Sequence, residues 1–406
     1  MKVGLVPLGC SKNLVDSEMI LGTCKSMVEL CDDPSLADLI LINTCAFIES
    51  ARKEAIETIL SLSDYKNAKL VVCGCLPQRY KDEISLLLPE VDRFISIDEY
   101  HNLPQIIDSV LASNYNAYNE FSPLNRIYST PNYMRYVKIS EGCMNRCAFC
   151  AIPLIRGSLK SRTIESIVEE VRMHVADGIY EINLISQDTT NYGYDLYDRL
   201  AIVELLSRIV EIDGDFKVRL LYLYPDLVTD ELINFIKNNP KIMPYFDIPI
   251  QHSEDKLLRA MSRRGNKAYL LELMKKIRME IPHAVIRTTL IVGFPYENNK
   301  DVTNLIDFIN ESQFNNYDLV LTLIQSGGSE NQFKKIYKNL PRPYLLLTYG
   351  SNNSLAASME ILSFLHNNHL EGEILHGSIS YICERIKYHF RSKNKSFDRF
   401  GVIGKP

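Results

Sequence analysis

The sequence predicts an α/β protein in which an open parallel α/β sheet domain precedes a partial β/α barrel. In the first part of the chain, short apolar runs rich in β-branched residues alternate with stretches of helical spacing, which is typical of a parallel sheet covered by helices. From residue 136 a second alternating series begins, and its six apolar runs are enough strands for a full or partial barrel. The chain of 406 residues is also too long for one simple core.

Three runs predict the strands of the N-terminal domain, which we place at residues 1–112. They lie at 2–8, 38–44 and 69–74. Because each run is almost entirely apolar, each predicts a parallel strand that is buried on both faces. In such a sheet, functional groups collect where strands end and helices begin.

A linker and the barrel domain follow. Residues 113–135 predict the linker, because they are rich in Asn, Ser, Pro and Tyr and show no period. The barrel is predicted at residues 136–324. Its strands are predicted at 136–140, 181–186, 217–223, 245–250, 285–293 and 317–324. Helices are predicted between them at 163–177, 198–212, 254–261, 267–280 and 299–312.

Residues 325–406 form an atypical C-terminal region. The apolar stretch 344–366 predicts a helix. Residues 370–406 are rich in charge and lack the alternation of strands, so they predict a solvated tail.

Composition and charge exclude some classes of protein. The net charge of −5 and the pI near 6.0 do not favour non-specific nucleic-acid binding. No apolar run approaches the roughly 18 residues that cross a bilayer. The N-terminus lacks a signal-peptide core. We therefore expect a cytoplasmic protein whose ten cysteines are reduced thiols.

Three of these cysteines lie within eight residues, at Cys143, Cys147 and Cys150. They are one short of a tetrahedral zinc site and of a fully ligated iron–sulfur cluster. A zinc knuckle that borrows a distant ligand remains an alternative, although structural zinc motifs usually show two ligand pairs. An electron-carrier ferredoxin site is a second alternative, but no fourth cysteine followed by proline is near. The spacing favours a four-iron cluster with one iron open to a substrate or cofactor.

A second set of three cysteines lies in the N-terminal domain. Cys10, Cys45 and Cys75 each follow one of its predicted strands. Because those strand ends converge on one crevice, they predict a second three-thiolate cluster. Ordinary buried thiols are the alternative. The remaining cysteines are interpreted as structural: Cys24, Cys31, Cys73 and Cys383.

The motif C-x-x-x-C-x-aromatic-C, with Phe149 as the aromatic residue, resembles the radical S-adenosylmethionine superfamily. The resemblance implies that the open iron binds S-adenosylmethionine and that the bound cofactor yields a radical. The segments "EINLISQDTTNYG" and "RTTLIVGFPYE" are similar to the strand-end segments that contact the cofactor. The resemblance therefore implies cofactor contacts at Phe149, Gln187, Asp188 and Gly293.

The two cysteine sets together resemble the methylthiotransferases. The segments "LGCSKNLVDSE", "NTCAFIESA", "GCLPQRY" and "DIPIQHSEDKLLRAMSRRG" are similar to the branch that modifies an aspartate of ribosomal protein uS12. This resemblance implies two 4Fe-4S clusters and S-adenosylmethionine as cofactors. The barrel cluster would make the radical that takes hydrogen from the β-carbon, and the N-terminal cluster would deliver sulfur. The implied partners are uS12 or the small ribosomal subunit, and an electron donor such as flavodoxin or ferredoxin.

Two other functions stay open. The related enzymes that act on isopentenyl-adenosine of tRNA usually carry G-Q-N-V where this chain has "SQDTTNYG". A degraded iron–sulfur protein is the other alternative, because residues 325–406 lack the sequence pattern expected of the small β domain that docks the substrate in the family.

The roles of several other polar residues also stay open at this stage. His252 could donate a hydrogen bond in the barrel mouth, or it could be a core histidine whose hydrogen bonds are satisfied. Arg156 and Arg162 could face the cofactor carboxylate or a cluster sulfide, or they could be solvated. Residues 263–265 ("RRG") predict a helix end with a glycine cap.

Overall fold

The computed structural model divides into two compact units. It describes residues 2–24, 29–31, 33–111, 120–322, 344–349 and 374–375. Among these residues, the first unit comprises Met1–Asn132 and Ala151–Gly157, and the second Tyr133–Cys150 and Ser158–His376.

A five-stranded parallel sheet forms the first unit. Its strands are β1 Lys2–Pro7, β2 Glu29–Leu30, β3 Leu39–Thr44, β4 Lys69–Gly74 and β5 Arg93–Ser96. They lie in the order β2-β1-β3-β4-β5, and every neighbouring pair is parallel. The three predicted strands are β1, β3 and β4. The other two strands are short, at two and four residues, and carry little pattern from which they could be predicted.

Helices cover both faces of this sheet. They are α1 Ser11–Cys24, α2 Glu49–Leu62, α3 Cys75–Leu87, α4 Leu103–Leu111 and the short α5 Ile152–Ile155. Alternate residues of β3 enter two separate apolar cores, with Ile40 and Ile42 on one face and Leu39 and Leu41 on the other. Burial on both faces explains why this strand is a continuous apolar run.

The second unit winds as a β/α barrel. Its strands are β6 Met134–Lys138, β7 Ser140–Glu141, β8 Lys160–Ser161, β9 Glu181–Ile185, β10 Lys217–Leu220, β11 Tyr245–Asp247, β12 Val285–Val292, β13 Asn316–Thr322, β14 Tyr344–Tyr349 and β15 Ile374–Leu375. One parallel sheet has the order β10-β9-β6, and another has the order β11-β12-β13-β14-β15. A parallel bridge between Val218 and Ile242 continues the pairing beyond β10. The six predicted strands appear in sequence order.

Helices alternate with these strands. They are α6 Ile164–Ala176, α7 Tyr194–Tyr197, α8 Ile202–Val210, α9 Asp230–Asn238, α10 Asp255–Ala260, α11 Lys267–Glu280 and α12 Asn299–Ser312. The five predicted helices are present, and α7 and α9 were not predicted. Four of these helices begin at a side chain that accepts a backbone N–H of the first turn. These N-caps are Thr163, Thr229, Asn266 and Asn298.

The helix predicted at 344–366 is wrong at its start, because residues 344–349 form strand β14, which pairs with β13. Its sequence, "YLLLTY", is a short continuous apolar run, and periodicity alone cannot distinguish a buried strand from a buried helix in such a run. The rest of that stretch and residues 376–406 lie outside the described residues. No helix in the described ranges has both the length and the apolar character needed to cross a bilayer.

Candidate functional site

The sheet of the first unit places Cys10, Cys45 and Cys75 at one edge. Cys10 lies between β1 and α1, Cys45 directly follows β3, and Cys75 is the first residue of α3. Since β1, β3 and β4 are parallel neighbours, their carboxyl ends meet at the same edge. The structure therefore brings this set together from three separate parts of the sequence.

The three thiols interact with one another. The thiol of Cys45 donates to Cys75, and this bond is the largest cause that lowers the pKa of Cys75 to about 6, against the opposing effect of burial. The guanidinium of Arg156 lowers the same pKa further. The pKa of Cys45 is raised by its bond to Cys75, by burial and by the charge of Cys10. Cys45 and Cys75 are buried, whereas Cys10 is exposed.

Two glycines allow the backbone to approach closely at this edge. Gly9 and Gly74, which precede Cys10 and Cys75, both have φ of +99°. A Cβ at Gly9 would lie 2.6 Å from the Cβ of Cys45, and one at Gly74 would lie 2.6 Å from the backbone oxygen of Thr44. Both positions need glycine for space and for backbone conformation. Neither glycine was predicted from the sequence, although the repeated Gly-Cys pair was a signal for both.

Buried polar side chains hold the strand ends in place. The Nδ2 of Asn13 donates to the backbone oxygens of Leu8 (3.0 Å) and Thr44 (2.9 Å). The Nδ2 of Asn43 donates to the backbone oxygen of Asn13 (3.0 Å) and to the hydroxyl of Ser17 (2.8 Å). This network fixes the turns that carry the cysteines, because each amide bridges two chain segments.

Arg156 belongs to this cysteine set, which rules out the solvated one of its two predicted roles. Its guanidinium donates to Asp16 (2.7 Å), to Asn13 (2.6 Å) and to the sulfur of Cys75 (3.5 Å). The residue lies six positions after Cys150 in the sequence, but it packs in the first unit with α5.

The other described cysteines differ from these three. Cys73 lies within β4 and Cys24 at the end of α1, and both are fully buried in the apolar core. Burial raises the pKa of Cys24 to about 12 and raises that of Cys73 as well. The half-buried Cys31 donates to the backbone oxygen of Asp33. These environments are consistent with structural thiols.

Cys143, Cys147 and Cys150 lie in the second unit, after β7, and all three are half-buried. The backbone N–H of Cys150 donates to the backbone oxygen of Cys147 (3.0 Å), and that of Ala148 donates to Met261 (3.0 Å). Burial raises the pKa of Cys143 to about 11, partly offset by the N–H of Asn145. Phe149 is half-buried beside them.

Within the described ranges, no group of three His, Cys, Asp or Glu side chains forms a metal-holding arrangement. Metal ligation by the six cysteines therefore stays a prediction.

Asp188 and Asn145 connect the barrel strands to the cysteine loop. The carboxylate of Asp188 accepts from the amide of Asn145 (2.6 Å) and the hydroxyl of Thr190 (2.6 Å), and burial raises its pKa. Gln187 donates to Glu141 (2.9 Å), while its Oε1 is buried and has no hydrogen-bond partner in the part of the chain that the structure describes. Gln187 and Asp188 thus lie just after the end of β9, as predicted.

Arg263 and Arg264 do not end a helix, so that prediction is wrong. Helix α10 ends at Ala260, and Ser262, with φ of 55°, is the left-handed residue just after it; Gly265 also has positive φ, 86°, but lies five residues beyond the helix end. The guanidinium of Arg263 lies 4.1 Å from the ring centroid of Tyr224, and its Nη1 lies 3.8 Å from the sulfur of Cys147. This contact could not be predicted, because it depends on how the loop after α10 turns back.

His252 and Glu297 tie together two loops that follow barrel strands. The Nδ1 of His252 accepts the backbone N–H groups of Ser253 and Glu254, both at 3.0 Å. Its proton therefore lies on Nε2, which donates to Glu297 (3.0 Å). The other carboxylate oxygen of Glu297 accepts the N–H of Gly293. His252 is thus a fully buried residue that positions the loop of Gly293.

Backbone strain also marks these strand ends. Tyr222, Gln251 and Tyr296 have φ of 63°, 71° and 74°, and they follow β10, β11 and β12 respectively. Non-glycine residues rarely adopt this conformation, and such residues cluster at functional sites.

Arg162 has neither of the roles that were predicted for it. Its guanidinium donates to the buried carboxylate of Glu170, and this ion pair supports the fold.

Comparisons with known proteins agree with this architecture. Residues 137–309 match the family model described as the Radical SAM superfamily, and residues 2–96 match that described as Uncharacterized protein family UPF0004. The solved structure of the radical S-adenosylmethionine methyltransferase TsrM from Kitasatospora setae is similar with a TM-score of 0.58 and 13% identity, covering 79% of this chain and 74% of that chain. The cobalamin-dependent S-adenosylmethionine radical enzyme OxsB is similar with a TM-score of 0.55 and 11% identity, covering 91% and 62%. At such identities the likeness shows the fold.

Curated relatives are much more similar in sequence. The chain is 44% identical over 326 residues to the ribosomal protein uS12 methylthiotransferase RimO of Caldicellulosiruptor saccharolyticus, which covers 77% of this chain and 74% of the relative. It is 41% identical over 380 residues to the protein of the same name from Geobacter sulfurreducens, covering 88% and 85%. Identity at this level over most of both chains establishes membership, and the chain therefore belongs to the RimO family of ribosomal protein uS12 methylthiotransferases.

Proposed function

We propose that this chain is a radical S-adenosylmethionine methylthiotransferase that adds a methylthio group to the β-carbon of an aspartate of ribosomal protein uS12. Its identity of 41–46% to relatives named for this activity carries the proposal. The two three-cysteine sets support it: Cys10, Cys45 and Cys75 lie at the ends of three neighbouring parallel strands, and Cys143, Cys147 and Cys150 lie in one loop after β7. When bound, the clusters and S-adenosylmethionine would supply the radical and the sulfur.

The residues of the N-terminal set fit an iron–sulfur cluster. Cys10, Cys45 and Cys75 would hold it, and their thiols already influence one another. Thiolates are the ligands that such clusters prefer. The exposed Cys10 leaves one side of the set open to solvent, while the buried Cys45 and Cys75 are fixed by the sheet.

The residues of the barrel set fit a cluster with one open iron. Cys143, Cys147 and Cys150 would hold it, and their loop is hydrogen-bonded to itself and to Met261. Phe149, Gln187, Asp188 and Gly293 would contact S-adenosylmethionine.

Two buried oxygens that have no hydrogen-bond partner among the described residues support the binding of a polar cofactor. They are Oε1 of Gln187 and Oδ1 of Asp226. Buried oxygens of this kind favour a polar ligand, because a buried polar atom without a partner costs about 1–3 kcal/mol.

An electron donor such as flavodoxin or ferredoxin and a cytoplasmic location belong to the same proposal. The alternative substrate, isopentenyl-adenosine in tRNA, has no support from a particular residue here. A degraded protein without substrate docking is the other alternative, and the segment that bears on it lies mostly outside the described residues.

One experiment separates these functions. The anaerobically reconstituted chain is incubated with S-adenosylmethionine, a reductant and either uS12 or tRNA that carries isopentenyl-adenosine, and the products are analysed by mass spectrometry. We expect a methylthio mass on one aspartate of uS12 and none on tRNA. The reverse would assign the chain to the tRNA branch. Cleavage of S-adenosylmethionine without either product would favour the degraded protein.

A further inference from the structure

Arg156 is a buried arginine whose guanidinium is held on three sides. The residue is 7% exposed, and its partner Asp16 is 1% exposed. Besides the Asp16 carboxylate at 2.7 Å, it contacts the Asn13 oxygen at 2.6 Å and the Cys75 sulfur at 3.5 Å. Its geometry is therefore set by polar contacts rather than by solvent.

These contacts join the two helices that begin at the cysteine edge. Asn13 and Asp16 lie in the first two turns of α1, which starts directly after Cys10, and Cys75 starts α3. One side chain from residues 151–157 thus fixes the start of α1 relative to the sulfur of Cys75. The bridge is not what holds the sheet together, because β1, β3 and β4 already pair through their backbones.

Burial of an ion pair is costly, and apolar residues of similar volume are often as stable or more stable. A role at the cysteine set accounts for a charged pair in this position. A four-iron cluster on three thiolates carries net negative charge, and reduction adds another negative charge. Nearby cations and N–H donors to sulfur stabilise the reduced cluster and so raise its reduction potential.

We propose that Arg156 is a positioning residue of the N-terminal cluster: its guanidinium orients Cys75 and supplies the positive charge that sets the cluster's reduction potential. The proposal rests on the proposed function, since it requires a cluster on Cys10, Cys45 and Cys75. Arg156 follows Cys150 closely in the sequence, yet the proposal gives it a role at the other cysteine set, that of the N-terminal domain.

The test uses the full-length chain with Cys147→Ala, in which only the N-terminal cluster is expected to remain. Into this parent we introduce Arg156→Met, and Arg172→Met as a control at an exposed arginine. Iron and sulfide are counted after anaerobic reconstitution, and the midpoint potential is measured by titration followed by EPR. For Arg156→Met we expect the equilibrium constant for one-electron reduction to fall about tenfold, which corresponds to about 59 mV. The control should keep the parent potential.

A second variant keeps the proposal testable if Arg156→Met folds poorly, because that change leaves Asp16 buried without its cation. Asp16→Asn together with Arg156→Met removes both charges. We expect this double variant to regain the thermal stability of the parent but to keep a lowered potential or to bind less iron. Parent iron content and parent potential in a folded double variant would show that Arg156 has only a structural role, and the proposal would fail.

Failure of the proposed function gives a different result. If the Cys147→Ala parent itself binds no cluster, the N-terminal cysteines do not form a cluster site, and the inference about Arg156 falls with that assignment. If the parent binds its cluster and Arg156→Met leaves the potential unchanged, only the inference about Arg156 is overturned.

Discussion

The two cysteine sets are built in opposite ways. Cys143, Cys147 and Cys150 come from one loop of eight residues and remain half-buried. Cys10, Cys45 and Cys75 come from three strand ends that are 35 and 30 residues apart (45 − 10 and 75 − 45). The first set is thus defined by local spacing, whereas the second exists only because the sheet is parallel and β1, β3 and β4 are neighbours.

The same contrast extends to the arginine beside each set. Arg156, at the N-terminal set, forms an ion pair with the buried Asp16. Arg263, at the barrel set, forms no ion pair with a carboxylate in the described part of the chain and instead stacks on Tyr224. The N-terminal set is therefore held by a network around a buried ion pair, whereas the loop of the barrel set is held by backbone hydrogen bonds, the Asn145–Asp188 contact and arginines that stack on Tyr224.

Removal of one ligand from each set should give the largest effect. Cys45→Ala and Cys147→Ala should each remove about half of the iron after anaerobic reconstitution, because a four-iron cluster is lost with its ligand. Only Cys147→Ala should abolish reductive cleavage of S-adenosylmethionine. Iron and sulfide analysis, with product analysis by mass spectrometry, measures both effects.

Cys31→Ala is the control for these variants. Its thiol is half-buried and donates to Asp33 rather than to another cysteine. It should keep both clusters. Tightly bound zinc in place of iron, in protein prepared without oxygen, would contradict the assignment of both sets.

A methyl group at the sheet edge should damage the N-terminal set alone. Gly74→Ala would place a Cβ 2.6 Å from the backbone oxygen of Thr44 at a φ of +99°. Strain and overpacking together should cost about 4 kcal/mol of unfolding free energy. The N-terminal cluster should be lost with it. Urea unfolding followed by circular dichroism measures the free energy, and iron analysis measures the cluster.

The matched control is Gly178→Ala. Gly178 also has positive φ, +80°, but a Cβ there would meet nothing within 4 Å. It should therefore cost only about 1 kcal/mol, from the backbone conformation alone. Equal losses for the two variants would mean that the close approach at Gly74 does not matter.

The barrel loops should depend on one buried histidine. His252→Phe keeps most of the volume but leaves the Glu297 carboxylate and two backbone N–H groups without their partner, which should cost about 3 kcal/mol. Binding of S-adenosylmethionine should weaken, because Glu297 also holds the N–H of Gly293. Urea unfolding and equilibrium dialysis check the two effects. His101→Phe, at an exposed histidine, should change stability by less than about 0.5 kcal/mol.

The sequence predicted the strands that are long and apolar and the cysteines that follow them. Spacing alone predicted that Cys143, Cys147 and Cys150 lie close together, because residues within one short motif are neighbours whatever the rest of the fold. Cys10, Cys45 and Cys75 were found because parallel topology fixes which strand ends meet. Strand β14 was missed because a short apolar run has no period that excludes a helix.

The supporting side chains could not be predicted in the same way. Arg156 and Arg263 contact cysteines that are 81 and 116 residues away in the sequence. Such contacts depend on how loops return, and neither composition nor periodicity reports that. Gly9 and Gly74 could have been found, since each stands directly before a cysteine at the end of a strand.

Relief of strain at the end of β12 should give the smallest effect and the opposite sign. Tyr296 has φ of 74°, and its side chain is 82% exposed, so Tyr296→Gly removes strain and little packing. The gain should be about 1 kcal/mol in unfolding free energy, reduced somewhat by the greater freedom of glycine in the unfolded chain. Tyr133→Gly is the control, because Tyr133 is 61% exposed and does not have positive φ. The Tyr133→Gly variant should lose stability, because glycine relieves no strain at that position and only increases the conformational entropy of the unfolded chain. Urea unfolding of both variants gives the comparison, and a loss of stability in Tyr296→Gly as large as in Tyr133→Gly would mean that the left-handed backbone at this strand end stores no strain.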